Sequence, residues 1–427
     1  MELFEQILRR LPMTLLKSLG LAVSNLSSYE TFSSYLRKKN ARLIDRIGEV
    51  RKVLTISDVN IGDAVTTQVC LEALRSHFCG SEIDYAYSLT ADPLINKNPV
   101  ISNPFPIFTS SIRPSKLDRT LAKGLCREKD YDLVLNLCPF LSSHDLKRAG
   151  CTVISPLGLI AEILKAKTRQ DGPRHLAYRI NKYVHQILSE PPEKTHPREA
   201  KPYSDTKIHL SSDVLAARDQ YLRAFGVSPD DVIVYFNPDT SNGYTFLDKR
   251  LQRTLLKRLL LCDGFDFLLL GYGTTFEGIE RDLVTDIPIP LRNRVIALNR
   301  KVSLDIFASI LDVCAVLITG DTGPMHIAAA RKISTGNATV FRNRTAVVSI
   351  FGPTDPELYG YDSFGDRYVE ANQDAPSKVF QSTPACRDIT CSIQRVTNQC
   401  SKGRCFDGIN VDEIVAYVAT YLSHSKE

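Results

Sequence analysis

Tryptophan is absent from the 427 residues, and no stretch stays apolar for the roughly 20 residues that a helix needs to cross a bilayer. The first absence excludes no function. The second leaves no candidate transmembrane helix. No short repeat or low-complexity tract is present, which argues against solenoids, propellers and disordered arrays. No basic stripe with interleaved aromatics appears, and a net charge of +5 is mild for this length, so nucleic acid is not an expected partner. The charge suits an anionic substrate or an anionic membrane surface. A secretory leader is not expected either. Glu2 and Glu5 precede the first arginines, and Lys17 interrupts the apolar region.

What is present is the composition of a folded globular chain, 43% hydrophobic and 24% charged, long enough for two domains. Of the 11 cysteines, Cys70, Cys79, Cys126, Cys138, Cys151, Cys262 and Cys314 are scattered in apolar or strand-like surroundings. The other four cluster near the C-terminus. An odd total in such contexts suits a reducing cytoplasm better than a secreted disulfide scaffold.

Apolar periodicity divides the chain. Residues 1–47 read as a helical basic extension, with Leu3, Ile7, Leu8, Leu11, Leu15 and Leu19 at helical spacing among Arg9, Arg10 and Lys17. Two readings stay open for it: a helix on the inner membrane surface, or one packed on the protein's own core or on a second subunit. Residues 48–190 alternate strands and helices, as a parallel sheet requires, starting with a strand at Lys52–Ser57 and a helix from Ala64 to Phe78. Pro191, Pro192, Pro197 and Pro202 mark residues 191–205 as a linker. Residues 206–410 repeat the alternation, with strands at 231–236, 265–270, 295–298 and 346–351. Residues 411–427 carry a final amphipathic helix.

One string is more specific than the rest. Ala315–Thr319 is an apolar run that reads as a buried strand, and Gly320 supplies a turn. Asp321 or Thr322 then caps a helix in which Pro324 occupies the first turn, where a missing N–H costs nothing. The free N–H groups of such a helix face the strand's carboxyl end and favour an anion such as phosphate. Four further elements occur in order: Ile61-Gly62-Asp63 after the first strand, Tyr131-Asp132-Leu133-Val134, Asn237-Pro238-Asp239-Thr240-Ser241, and Phe351-Gly352-Pro353-Thr354-Asp355-Pro356. Together the five closely resemble the motifs of glycosyltransferase family 9, the ADP-heptose:lipopolysaccharide heptosyltransferases. The resemblance covers most of the chain from Arg51 onward.

That resemblance implies a GT-B architecture: an acceptor-binding and a donor-binding Rossmann-like domain, each with a parallel sheet, facing a central cleft. It implies inverting sugar transfer from a nucleotide-sugar donor, ADP-heptose in this family, to a lipid-linked saccharide such as a lipopolysaccharide core or to another glycan. It implies that no metal cofactor is required. The site would be cytoplasmic, at the inner face of the membrane. Asp63 matches the proposed general base, where a carboxylate takes the acceptor proton; capping the next helix is its structural alternative. Thr322 and Gly323, with Thr240 and Ser241, match the groups that meet the leaving diphosphate, and Asp321 the residue that holds donor-sugar hydroxyls. His326, one turn past Thr322, is a candidate for the sugar or phosphate, with a structural role as the alternative. Glu277 or Glu280 would reach the ribose.

Two departures concern the donor. The family carries Lys or Arg followed by Trp-Pro shortly after the turn at Asn237. Here the segment runs Asn242-Gly243-Tyr244-Thr245-Phe246-Leu247-Asp248, and Lys249 or Arg250 is the nearest substitute. Residues 333–344 read as an insertion next to the donor motif. The clustered thiols Cys386, Cys391, Cys400 and Cys405 are a candidate structural metal site, with disulfides or plain packing as alternatives. Two other functions fit these departures: the same fold with another sugar or acceptor, and a non-catalytic nucleotide-sugar-binding protein.

Overall fold

The computed structural model describes residues 26–109, 114–147, 150–168, 175–188, 208–238, 247–271, 283–285, 287–298, 302–332, 345–361, 377–382 and 405–424. It divides into two compact units, Met1–Lys207 and Ile208–Glu427. The expected linker and the 333–344 insertion lie outside the described residues.

The first unit runs α1 (Leu26–Asp45), β1 (Lys52–Ile56), α2 (Ile61–Thr67), α3 (Leu71–His77), β2 (Glu82–Ser88), β3 (Pro104–Phe108), α4 (Lys116–Glu128), β4 (Leu133–Asn136), β5 (Thr152–Ile154), α5 (Leu157–Thr168) and α6 (Leu176–Leu188). Its strands pair in parallel in the order β3-β2-β1-β4-β5. Val53, Leu54 and Ile56 of β1 are wholly buried, as is Thr55 between them, because both faces of the sheet are covered.

The second unit runs α7 (Ser212–Arg223), β6 (Ile233–Asn237), α8 (Lys249–Leu260), β7 (Phe267–Leu270), β8 (Val295–Ala297), α9 (Leu304–Val313), β9 (Val316–Gly320), α10 (Gly323–Lys332), β10 (Ala346–Phe351), β11 (Lys378–Gln381) and α11 (Val411–His424). Its strands are also parallel, ordered β11-β10-β9-β6-β7-β8. Ile414, Val418 and Leu422 of α11 join the core formed by α8 and the sheet, so the final helix is part of this unit.

Each sheet winds outward from its first strand and then restarts on that strand's other side. The order 3-2-1-4-5 therefore appears twice, and each unit has a switch point, between β1 and β4 and between β6 and β9. There the crossovers diverge and leave the carboxyl ends of the strands open, which is where open α/β sheets bind ligands.

The structure differs from expectation at three places. Edge strand β3 has the composition Pro-Phe-Pro-Ile-Phe, and proline is tolerated there because one side of an edge strand donates no ladder bonds. Edge strand β11 is likewise short and only half-buried. The helix expected from Ala64 to Phe78 instead starts at Ile61 and is interrupted by a 3₁₀ turn at Gln68–Cys70. The Thr66 hydroxyl bonds back to the carbonyls of Gly62 (2.9 Å) and Asp63 (3.2 Å), competing with helical geometry. Because the helix starts at Ile61, Asp63 lies inside its first turn and not in the loop ahead of it.

Over its described part the N-terminal extension packs on its own unit. Helix α1 lies against α5 and α6, burying Leu36, Ala41 and Ile44. Two buried polar contacts fix it: Ser33 donates to the Glu162 carboxylate, and Asn40 Nδ2 donates to the Tyr183 hydroxyl at 2.7 Å. Tyr183 closes over Gly158, where an added Cβ would stand 2.2 Å from its hydroxyl oxygen. Gly158→Ala should displace Tyr183, break its bond to Asn40 and destabilise the protein by about 1–3 kcal/mol. Urea unfolding measures this, and an unchanged midpoint would show that α1 is not held through Tyr183.

Candidate active site

At the first switch point, β1 leads into Ser57-Asp58-Val59-Asn60, and α2 begins. Asn60 occupies the cap position with extended backbone (φ −85°, ψ 155°), but its side chain caps no helical N–H. Instead Asn60 Nδ2 donates to Asp63 Oδ2 at 2.8 Å. Asp63 sits in the first helical turn, where the helix dipole favours negative charge, and it does not cap the helix. Among the described residues, Asn60 is the hydrogen-bonding partner recorded for its carboxylate.

A second carboxylate stands in the same loop. Asp58 Oδ1 accepts the Val59 N–H at 2.8 Å and lies 3.6 Å from Cys138 Sγ, whose thiol donates toward it. Cys138 follows β4 across the switch point. Its N–H is held by Asn136 Oδ1 at 3.1 Å, while Asn136 Nδ2 donates to the Leu141 carbonyl at 3.0 Å.

Both aspartates keep some surface open, yet their carboxyl groups are enclosed by protein. Burial raises the pKa of each, because a charge surrounded by protein loses its hydration. For Asp63 the bond from Asn60 opposes that rise. Asp58 is pushed up to about 8, first by burial and then by the charge of Asp63. Cys138 is held as a thiol by burial and by the nearby Asp58. The two carboxyls titrate as a pair in two steps. The charge of Asp63 opposes ionisation of Asp58 beside it.

At the second switch point, Asn237 ends β6 beside Thr319 of β9, and Asn237 Nδ2 donates to Thr319 Oγ1 at 3.2 Å. Strand β9 ends at Gly320, and Asp321 and Thr322 turn the chain into α10. Asp321, Thr322, Gly323 and Pro324 are partly open, while residues 325–331 are buried. The small row Ala328–Ala330 permits close packing of α10 on β9 and β10. At the helix's far end, Arg331 grips Asp312 of α9 through both carboxylate oxygens and donates to the Ile208 carbonyl at 2.6 Å. The start of α10 is thereby aimed at the open edge of the sheet.

Strand β10 brings the Phe351–Pro356 segment alongside, since Ile350 pairs with Gly320. Gly352 is required there: an added Cβ would meet the Phe406 ring at 2.7 Å. Asp355 caps the following turn through the Glu357 N–H at 3.1 Å. His326 is 7% exposed, with Nδ1 3.0 Å from the Tyr361 hydroxyl and the two rings edge to face. Lys249 is the exposed first residue of α8, whose cap is Asp248. Thr240, Ser241, Glu277, Glu280, Cys386, Cys391 and Cys400 lie outside the described residues, and Cys405 is buried beside Phe406.

Sequence reasoning did not single out Asp58, Asn60, Cys138 or Tyr361. For the first two a signal existed, because polar residues at the first β-to-α turn of a parallel sheet face the open edge. Cys138 and Tyr361 had none, since only strand pairing and packing bring them near.

The family model for glycosyltransferase family 9 (heptosyltransferase) matches residues 276–393, the stretch that contains Asp321–Gly323 and Phe351–Pro356. Lipooligosaccharide heptosyltransferase 2 of Campylobacter jejuni is 24% identical over 306 residues, 69% of this chain and 79% of that protein. A family 9 glycosyl transferase from Veillonella parvula superposes with a TM-score of 0.62 at 16% identity, covering 88% of this chain and 98% of that one. The ADP-heptose lipopolysaccharide heptosyltransferase II of E. coli superposes with a TM-score of 0.54 at 15% identity, over 88% of this chain and all of that one. The fold these structures share is GT-B.

The raised Asp58 has a consequence for stability. Between the unfolded value near 3.8 and about 8 the native state holds a proton that the unfolded chain has lost, so wild-type stability falls as pH rises through that window. Asp58→Asn removes this loss. The variant's stability relative to wild type should therefore climb from pH 5 to 8 and level off above about 9, as read by thermal unfolding across that range. Parallel curves would place the Asp58 titration outside this range.

Proposed function

We propose that this chain, a glycosyltransferase of the family 9 type, moves a heptose or related sugar from a nucleotide-diphosphate donor, ADP-heptose foremost, to a hydroxyl of a lipopolysaccharide core or other glycan. Residues 48–190 serve the acceptor and residues 206–410 the donor. The observation that carries the reading is double. Asp63 stands at the open strand edge of one unit, and Asp321–Gly323 stand at the equivalent edge of the other.

In this scheme the acceptor oxygen attacks the anomeric carbon as its proton passes to Asp63 Oδ1, the oxygen that Asn60 leaves open. The bond from the anomeric carbon to the diphosphate oxygen breaks on the opposite face. A single displacement of this kind inverts the configuration. The departing nucleoside diphosphate carries the negative charge, which the N–H groups of Thr322 and Gly323 at the start of α10 meet without a metal. Asp321 holds sugar hydroxyls, and Thr240, Ser241 and Lys249 add donors to the phosphates. His326, held by Tyr361, shapes the pocket wall from behind, and Glu277 takes the ribose. No helix among the described residues is long and apolar enough to cross a membrane. The reading places the enzyme in the cytoplasm, working on a lipid-linked acceptor at the inner membrane face.

The altered segment after Asn237, without Trp-Pro, favours one variant of this reading: the same chemistry with a different donor sugar. A panel of nucleotide sugars decides between them, turnover with ADP-heptose supporting the first. Asp63→Asn should lower transfer by roughly 10²–10⁴-fold. ADP binding, followed by calorimetry, should stay near wild type. Retained turnover removes Asp63 as the base. Asp321→Ala should weaken donor binding instead, raising the donor KM.

A further inference from the structure

Seven large apolar side chains among the described residues are exposed: Tyr35, Leu89, Leu117, Leu121, Leu261, Ile289 and Val313. Helix α4 alone carries two of them one turn apart, Leu117 at 61% and Leu121 at 41% exposure. Its opposite side is committed to the fold, with Asp118, Ala122 and Cys126 buried. The exposed side is two adjacent stripes. Leu117 and Leu121 form one, continued by Gly124. Lys116, Thr120, Lys123 and Arg127 form the other, with Arg119 at its edge. Over the first two turns every exposed charge is positive. Lys123 is shared with Asp145 at 3.2 Å, and the acids Glu128 and Asp130 come only at the far end.

The rigid start of this helix fixes where the stripes lie. Ser115 and Asp118 form a reciprocal cap, and Asp118 Oδ1 also accepts Thr109 N–H (3.1 Å) and its hydroxyl (2.8 Å) just beyond the end of β3. Leu117 and Leu121 thus sit at the carboxyl edge of the first unit's sheet, the edge that carries Asp63. Strand β3 is two places from β1, about 10 Å in the sheet.

We infer that α4 is the surface by which this protein lies on an anionic lipid bilayer, its leucine stripe entering the headgroup–acyl boundary and its basic stripe meeting the headgroups. Charge complementarity selects this occupant: a leucine pair flanked by lysine and arginine on one exposed helix face is the pattern of an interfacial helix. The inference rests on the lipid-linked acceptor of the proposed function, because a bilayer against α4 presents its sugars on the side where Asp63 waits. It assigns the contact to a helix within the folded unit, apart from the basic N-terminal residues.

Flotation of the full chain with phosphatidylcholine vesicles, with and without phosphatidylglycerol, tests it. Wild type should partition onto the anionic vesicles and be released by high salt. Leu117→Ser/Leu121→Ser should reduce partitioning at least about tenfold, and Lys116→Glu/Arg119→Glu should do so to a similar degree. Thermal midpoints should not move, and transfer to a water-soluble deacylated acceptor should remain at the wild-type rate. Wild-type protein that ignores anionic vesicles, or a leucine variant that binds them like wild type, overturns the assignment. Vesicle binding is read without turnover, so a chain that transfers no sugar yet loses partitioning in both variants would fail the functional reading and keep this one.

Discussion

The constraint on which the rest depends is the handedness of crossovers between parallel strands. Each sheet starts in its middle, winds one way for three strands and then restarts on the other side of its first strand. Helices leaving in opposite directions cannot cover the carboxyl ends between them. The loops after β1 and β4, and the one after β9, are therefore the places where polar side chains stay open while their backbone remains anchored in a buried strand. Asp63 stands at the first of these gaps and Asp321–Gly323 at the second.

The gaps are built with opposite electrostatics. At the first, two carboxylates and a thiol are brought together under partial cover, and burial raises every pKa. Asp58 is pushed up to about 8 by burial and by the charge of Asp63, whereas at Asp63 the bond from Asn60 opposes the rise. Two chemically identical groups thus sit in different environments. At the second gap a helix start presents positive potential, with the body of the helix buried and its far end clamped by the bidentate Arg331–Asp312 pair. The first gap suits the removal of a proton and the second suits the reception of a phosphate.

Support for these gaps comes from parts of the chain with no chemistry of their own. Helix α1 is tied by Ser33 and Asn40 to α5 and α6, and the final helix fills the core beneath α8. Gly158 and Gly352 mark places where a neighbouring aromatic ring leaves no room for a side chain. The small-residue row of α10 plays the same part for the sheet it covers. A helix that packs closely can aim its terminus, whereas one held at a distance by larger side chains would tilt.

Local pattern alone carried the parallel α/β class, the strands at the middle of both sheets, and the turn from β9 into α10. Buried parallel strands are uninterrupted apolar runs, and a Gly-Asp-Thr-Gly-Pro string permits few backbones. Strands β3 and β11 escaped because edge strands need neither apolar continuity nor full ladders, and Pro104 and Pro106 disguise the first. Asp63 stands in a motif legible in the sequence, but its place within a helical turn follows from the helix start at Ile61, with Asn60 at the cap. Its pKa is raised by burial against the opposing bond from Asn60, and that of Asp58 by burial and then by the charge of Asp63. Sequence by itself determined which residues could do chemistry, since side-chain type and spacing are local properties. Only the tertiary structure decided which of them titrate together, which helix ends are aimed, and which face of α4 is left to solvent. Those depend on burial and on distances between residues far apart in the chain.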